Sequence, residues 1–161
     1  MMRFFLVHIF FLISFVTSGQ EKNRLYDPNA MPEKDLAKIC ERAKKEGKHV
    51  LVVAGGNWCA KCLTFDQFCT VNKEIDSLIK KDYLLYHLNY SDENENRSIF
   101  TRFGYPQRFG FPVLLVLNEK GDRLHTQKSE YLEQGMGYSK RRVYDFLLAW
   151  NKKAMLPESY K

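Results

Sequence analysis

Three short apolar runs along the chain predict buried β-strands. Val50–Ala54 and Val113–Leu117 are continuously apolar, and Tyr83–Tyr90 is rich in apolar and aromatic residues. A run without regular polar alternation fits a strand that is covered on both faces of a sheet. Asn118–Gly121 is a turn signal, so we expect Asp122–Gln127 to pair antiparallel with the strand before it.

The segments between these runs have the spacing of helices. Pro32 suits the first turn of a helix, and Gly47 suits its C-terminal cap. The residues that share one face of this helix are Leu36, Ile39, Cys40 and Ala43. Further helices are predicted over residues 59–70, 72–81 and 98–103, and after a cap at Ser139, with Val143, Phe146, Leu147 and Trp150 on one face. This order predicts an α/β fold with a central mixed β-sheet flanked by helices.

The first residues of the chain have the pattern of a targeting segment. Arg3 precedes the apolar stretch Phe4–Val16, and Thr17-Ser18-Gly19 then supplies small residues. This order is typical of a cleavable secretory signal peptide over residues 1–19. The stretch is shorter than the about 20 apolar residues of a membrane span. An uncleaved anchor or a buried N-terminal helix is the alternative.

These boundaries predict the organisation and location of the chain. Residues 20–31 are polar and are expected to form a flexible leader, and residues 32–161 a single domain. We expect export, to the periplasm or the medium, with no stable membrane insertion after signal cleavage. Disulfides persist in such compartments.

Composition narrows the possible partners. The chain has 161 residues and a net charge of +6, but its lysines and arginines are scattered among acidic residues. Without a basic stripe, nucleic acid is not an expected partner. The 12 Phe, 9 Tyr and 2 Trp residues are sufficient for a core that needs no disulfide support.

The segment Trp58-Cys59-Ala60-Lys61-Cys62 carries the chemistry. It follows the first predicted strand and opens a helix, so Cys59 lies at a helix N-terminus. Unpaired N–H groups and the helix dipole stabilise a thiolate there, and the thiolate is the attacking species. Cys62 lies three residues later, close enough to resolve a mixed disulfide. The positive charge of Lys61 is a candidate for further stabilising the Cys59 thiolate, with a solvated lysine of little effect as the alternative.

A Cys-X-X-Cys pair can also bind zinc, but zinc needs two more ligands. Cys40 and Cys69 are the candidates, and Cys40 lies on the apolar face of another helix. Cys69 is about 10 Å from Cys62 along a continuous helix. We interpret Cys40 and Cys69 as small buried apolar residues and expect neither a metal nor a cofactor.

The Trp-Cys-X-X-Cys junction, together with Phe111-Pro112-Val113 at the entry to the third strand, resembles the thioredoxin superfamily. The closest resemblance is to exported bacterial thioredoxin-like proteins whose strand ends in Gly-Gly-Asn-Trp-Cys, and it covers roughly residues 33–152. It implies a thioredoxin-like fold, with Cys59 as nucleophile, Cys62 as resolving thiol and Trp58 packed beside them.

The resemblance also implies a docking site and shows one departure. Pro112 matches the cis-proline of the family, where the neighbouring backbone, here beside Phe111, binds substrate chains as an added strand. In thioredoxins a buried acid precedes the nucleophile by six residues, and Val53 holds that position here. We therefore expect a Cys59 pKa below that of a free cysteine.

The function predicted from the sequence is extracytoplasmic thiol–disulfide exchange with protein substrates through the Cys59/Cys62 couple. The expected partners are protein thiols and disulfides and an unidentified redox partner. The alternative is a thioredoxin-fold module that delivers copper or serves cytochrome maturation through the same two thiols.

Overall fold

The central sheet has four strands in the order β2-β1-β3-β4 in the computed structural model, which describes residues 24–161. The strands are β1 (His49–Gly55), β2 (Tyr83–Asn89), β3 (Val113–Leu117) and β4 (Arg123–Lys128). β1 pairs parallel with β2 and antiparallel with β3, and β3 pairs antiparallel with β4. The mixed sheet predicted from the apolar runs is confirmed.

Helices cover both faces of this sheet. They are α1 (Pro32–Glu46), α2 (Ala60–Val71), α3 (Lys73–Asp82), α4 (Arg97–Arg102) and α5 (Lys140–Ala149). α1 and α4 pack on one face, where Val50, Val52 and Ala54 of β1 are buried. α2, α3 and α5 pack on the other face, against Leu51 and Val53. Because both faces are covered, every residue of β1 and β3 is buried, as the continuous apolar runs predict.

Local sequence features explain where α1 begins and ends. Pro32 is the first residue of the helix, and Glu33 and Asp35 place negative charge in the first turn. Gly47 ends the helix with φ 67°, a left-handed conformation that glycine adopts without steric cost. α1 therefore ends just before β1 begins, and its apolar face lies over the sheet.

Three details differ from the sequence expectations. β4 is shifted by one residue from the predicted Asp122–Gln127. Ser139 precedes α5 at the N-cap position, but its side chain makes no capping hydrogen bond, so the predicted cap was wrong in that respect. A 3₁₀ turn (Ser129–Leu132) and a two-stranded hairpin, β5 (Glu133–Gln134) and β6 (Gly137–Tyr138), follow β4 and were not predicted. Strands of two residues are too short to show a period in the sequence.

The predicted signal peptide, residues 1–19, lies outside the described residues, as do residues 20–23 of the predicted leader. Within residues 24–161, no helix combines the length and the apolar character needed to cross a membrane.

Candidate active site

Cys59 and Cys62 form a disulfide where β1 passes into α2. Cys59 is the N-cap residue of α2, and its Sγ accepts a hydrogen bond of 3.2 Å from the backbone N–H of Cys62. The first turn of a helix has N–H groups without intrahelical partners, which favour negative charge at this position. The structure therefore describes the oxidised form of a couple whose reduced form has its first sulfur at a helix N-terminus.

Two glycines allow the chain to pass close to this disulfide. A Cβ atom added at Gly55 would lie 2.5 Å from the Sγ of Cys62. A Cβ added at Gly56 would lie 2.6 Å from the carbonyl oxygen of Tyr90. Both distances are shorter than any real contact, so the Gly-Gly pair before Asn57 is required by packing as well as by the turn.

Aromatic residues form the surface around the disulfide. The Trp58 side chain is 59% exposed, and its Nε1–H donates to the carbonyl oxygen of Tyr90 at 2.7 Å. The ring of Phe111 meets the Trp58 ring edge-on at 5.6 Å and packs against the buried cluster that contains both cysteines. The Phe111–Pro112 peptide bond is cis. The structure thus brings Trp58 and the Phe111–Pro112 segment to the disulfide.

Lys61 lies on the first turn of α2 and forms an ion pair with Glu133, a residue that the sequence did not point to. Its Nζ is 2.8 Å from Oε2 of Glu133, and its side chain is 64% exposed. Glu133 belongs to the short hairpin after β4, whose Tyr138 hydroxyl also donates to the Lys61 carbonyl oxygen at 3.2 Å. The ion pair and the exposure both weaken the influence of Lys61 on Cys59.

Tyr26 is the main site residue that the sequence did not reveal. Its segment was predicted as flexible leader, yet its side chain is fully buried in one cluster with Cys59 and Cys62. Its backbone N–H donates to Oδ1 of Asn57 at 3.2 Å, and Nδ2 of Asn57 donates back to the Tyr26 carbonyl oxygen at 2.7 Å. The sequence contained one signal of this contact, which is a large aromatic residue within a polar stretch ahead of the Gly-Gly-Asn turn.

A partly buried polar pair, His87 and Asp66, lies beside Tyr26. Nε2 of His87 is 3.1 Å from Oδ1 of Asp66, and the Tyr26 ring meets the His87 ring edge-on at 5.4 Å. Burial lowers the pKa of His87, and the nearby Asp66 carboxylate opposes this shift. Asp66 lies four residues after Cys62 on α2, and His87 is opposite Val53 in the β1–β2 register.

The other two cysteines are free and buried, as expected for small apolar residues. Cys40 packs in the core under α1, and Cys69 packs in the core on the opposite face of the sheet. The sheet therefore separates the two cysteines that a zinc site with Cys59 and Cys62 would have to bring together. Burial raises the pKa of both, and that of Cys69 rises to about 12 with a contribution from the Asp66 carboxylate.

Comparison with known proteins agrees with this arrangement. The family described as thioredoxin-like has a model that matches residues 31–119. The fold is similar to that of a disulphide isomerase from Xylella fastidiosa Temecula1, with 27% sequence identity and a TM-score of 0.69. The match covers 79% of this chain and 96% of that protein.

Two more distant structures share the fold. An oxidoreductase named DsbH is 16% identical, with a TM-score of 0.55 over 71% of this chain and 80% of that one. The C-terminal domain of DsbD from Neisseria meningitidis, in its oxidised form, is 15% identical, with a TM-score of 0.52 over 73% of this chain and 94% of that one. No curated protein matches the chain.

Proposed function

The chain belongs to the thioredoxin-like family, and on that premise we propose that it exchanges disulfides with protein substrates through Cys59 and Cys62. The fold is thioredoxin-like, and its structural relatives include a disulphide isomerase and disulfide oxidoreductases. The observation that carries the proposal is the Cys59–Cys62 disulfide at the N-terminus of α2, beside the Phe111–Pro112 segment.

The proposed reaction runs through a mixed disulfide. In the reduced protein, the Cys59 thiolate attacks one sulfur of a substrate disulfide, and the other substrate sulfur leaves with the electron pair of the broken bond and takes up a proton. The Cys62 sulfur then loses its proton and attacks Cys59 Sγ, which releases the second substrate sulfur as a thiol. Two electrons pass from the cysteine pair to the substrate disulfide. From the oxidised form, the same steps run in reverse.

Protein substrates fit the surface around the two sulfurs. An exposed Trp58 and a half-buried Phe111 give an apolar contact for a docked chain. A cavity of about 590 Å³ lies on the Trp58 side, and a groove of about 500 Å³ lies on the Phe111 side. The groove is lined by charges of both signs, including Lys128 and Glu130. In our proposal, an extended polypeptide lies across Phe111 and places its disulfide over Cys59.

Reduction of insulin by dithiothreitol tests the proposal. The wild-type protein is expected to accelerate the reduction, and Cys59→Ser to return it to the rate of dithiothreitol alone. Cys69→Ala is the matched control, because it removes a thiol from the same helix away from the N-terminus, and its rate is expected to stay at the wild-type value. A wild-type protein without effect, or an active Cys59→Ser variant, would contradict the proposal.

We also propose that the exchange takes place outside the cytoplasm. The support is the pattern of residues 1–19, with Arg3, the apolar stretch and the small residues before Gln20. Mass spectrometry of the exported protein is expected to find a mature N-terminus at or near Gln20. An intact Met1 in the membrane fraction would identify an anchor instead.

A further inference from the structure

The buried hydroxyl of Tyr26 and the second sulfur of the disulfide lie in one buried cluster beside Gly55. A Cβ atom added at Gly55 would lie 3.1 Å from the Tyr26 hydroxyl oxygen and 2.5 Å from Cys62 Sγ, so both atoms border the same small space. Among residues 24–161, the hydroxyl has no hydrogen-bond partner, although the side chain is fully buried. Buried hydroxyls usually have a partner, because an unpaired one loses its bonds to water without replacement.

Reduction of the disulfide changes what the Cys62 sulfur offers to a hydrogen-bond donor. A sulfur in a disulfide is a weak acceptor, whereas a thiolate is a full negative charge and a strong one. The structure describes the oxidised couple. Reduction of the couple and loss of the Cys62 proton therefore create a strong acceptor in the space that the Tyr26 hydroxyl borders.

Specific contacts fix the segment that carries Tyr26. Asn57 bonds both the N–H and the carbonyl oxygen of Tyr26, at 3.2 and 2.7 Å. Nδ2 of Asn94 donates to the Pro28 carbonyl oxygen at 2.9 Å. The segment lies before the residues matched by the family model, which begin at position 31. This chain therefore adds a residue to its site from outside the matched domain.

We infer that Tyr26 is a catalytic residue whose hydroxyl donates a hydrogen bond to the Cys62 thiolate as that thiolate forms. The inference rests on the proposed function and concerns its second step. There the Cys62 thiol gives its proton to solvent, the electron pair of the thiolate forms the bond to Cys59 Sγ, and the departing substrate sulfur takes up a proton. The bond between Cys59 and the substrate breaks, and its electrons leave with the substrate. Stabilising the Cys62 thiolate lowers the barrier to this step.

The neighbouring side chains do not supply the stabilisation of the Cys62 thiolate that we assign to Tyr26. Val53, buried on the face of the sheet that α2 covers, provides no acid or base, and Lys61 on the first turn of α2 is paired with Glu133. Asp66 of α2 is bonded to His87 of β2, and its negative charge opposes a thiolate nearby. Burial and Asp66 raise the pKa of Tyr26, and Tyr138 of β6 contributes in the same direction. The phenol therefore keeps its proton and acts as a donor at neutral pH.

Rapid-quench kinetics with oxidised glutathione test the inference on the fully reduced protein. Acid quenching and mass spectrometry follow the glutathione adduct of Cys59 as it forms and decays. Tyr26→Phe keeps the ring and removes the hydroxyl, so adduct formation is expected to be unchanged. Its decay is expected to slow about tenfold near neutral pH, the effect of one lost bond to a charged group.

Tyr83→Phe is the matched control. Tyr83 is also a buried tyrosine, but its hydroxyl donates to the Leu147 carbonyl oxygen at 2.6 Å, under α5. The substitution removes a buried phenolic hydroxyl from a different cluster than the one that holds Cys59 and Cys62. The decay rate of the adduct in Tyr83→Phe is expected to equal that of the wild type.

The pH dependence separates a hydrogen bond from simple packing. Loss of the donor raises the Cys62 pKa, so the midpoint of the decay rate is expected to move up by about one pH unit, and the variants to converge at high pH. An unchanged decay rate, or slowing at every pH without a shifted midpoint, would overturn the role of Tyr26 and leave the proposed function intact. A wild type that forms no adduct would overturn the proposed function, and this inference with it.

Discussion

The N-terminus of α2 holds one pair of cysteines, and the apolar faces of α1 and α2 hold one cysteine each. All four are equally hidden, since Cys59 and Cys62 are 6% and 0% exposed and Cys40 and Cys69 are 7% and 6% exposed. Exposure therefore does not separate the pair that forms a disulfide from the two that stay free.

The difference lies in what surrounds each sulfur. Cys59 is the N-cap of α2, next to backbone N–H groups that have no intrahelical partner. Cys69 lies on the last turn of the same helix with apolar side chains around it, and burial raises its pKa, with smaller contributions from the Asp66 and Asp76 carboxylates. Two cysteines of one helix thus have opposite electrostatic surroundings. The comparison teaches that exposure alone does not decide reactivity here, because the helix N-terminus favours a thiolate at Cys59, whereas burial without such N–H groups raises the pKa of Cys69.

Alkylation of the reduced protein tests this comparison where the expected effect is largest. With a pKa of about 12, Cys69 holds on the order of a thousandfold less thiolate at neutral pH than a free cysteine with a pKa of about 8.5. Peptide mapping after iodoacetamide treatment at pH 7 is expected to find Cys59 labelled first and Cys69 slower by at least that factor. Its rate is expected to rise about tenfold per pH unit up to the pKa.

Glutathione in the same tube serves as the free-thiol reference for this experiment. Labelling of Cys40 or Cys69 as fast as that of Cys59 would contradict the comparison, because it would show that position on the helix does not govern the thiolate.

A negative charge introduced at Val53 tests how far the surroundings of Cys59 control its pKa. Val53 is buried between the sheet and α2, on the face that also holds Cys69. Val53→Asp adds a negative charge that opposes a thiolate, so the Cys59 pKa is expected to rise by about one unit. Thiolate ultraviolet absorbance against pH measures the change.

Val53→Asn is the neutral control for this substitution, since it has nearly the same size as Asp and no charge. Its Cys59 pKa is expected to stay at the wild-type value. Equal shifts in both variants would assign the effect to packing, and no shift in either would show that charge at this position does not reach the sulfur.

The smallest change in the Cys59 pKa is expected from the exposed ion pair between Lys61 and Glu133. Lys61→Ala removes a positive charge and is expected to raise the Cys59 pKa, whereas Glu133→Gln frees Lys61 and is expected to lower it. Each shift is expected to stay below about half a unit, because exposed charges are screened by water and salt. The two pKa values, measured at low and high salt, are expected to converge as salt increases. A shift of a full unit, or the same sign in both variants, would mean that this ion pair is not a screened surface pair.

The parts of the fold that local pattern specifies could be predicted. β3 has the predicted bounds Val113–Leu117, and α1 begins at the predicted Pro32. A fully buried strand has to be apolar throughout, and a proline at a helix start fixes φ without losing a hydrogen bond, so both leave a direct mark on the sequence.

The rest of the site depends on contacts between distant segments. The backbone of Tyr26 is bonded by Asn57, which lies 31 residues later in the chain. Glu133 reaches Lys61 from a hairpin whose strands have two residues each. Asp66 of α2 and His87 of β2 form a pair between two elements that α3 separates in the sequence. None of these pairs shares a sequence period, so the hydrophobic pattern contains no signal for them.

The central claim is that Cys59 attacks and Cys62 resolves, and trapping of the mixed disulfide tests it most directly. Reduced Cys62→Ser and Cys59→Ser variants are each mixed with insulin, quenched with acid and mapped by mass spectrometry. Cys62→Ser is expected to accumulate an insulin adduct on Cys59, because attack survives and resolution does not. Cys59→Ser is expected to accumulate none. An adduct on Cys62, Cys40 or Cys69, or no adduct in Cys62→Ser, would contradict the assignment.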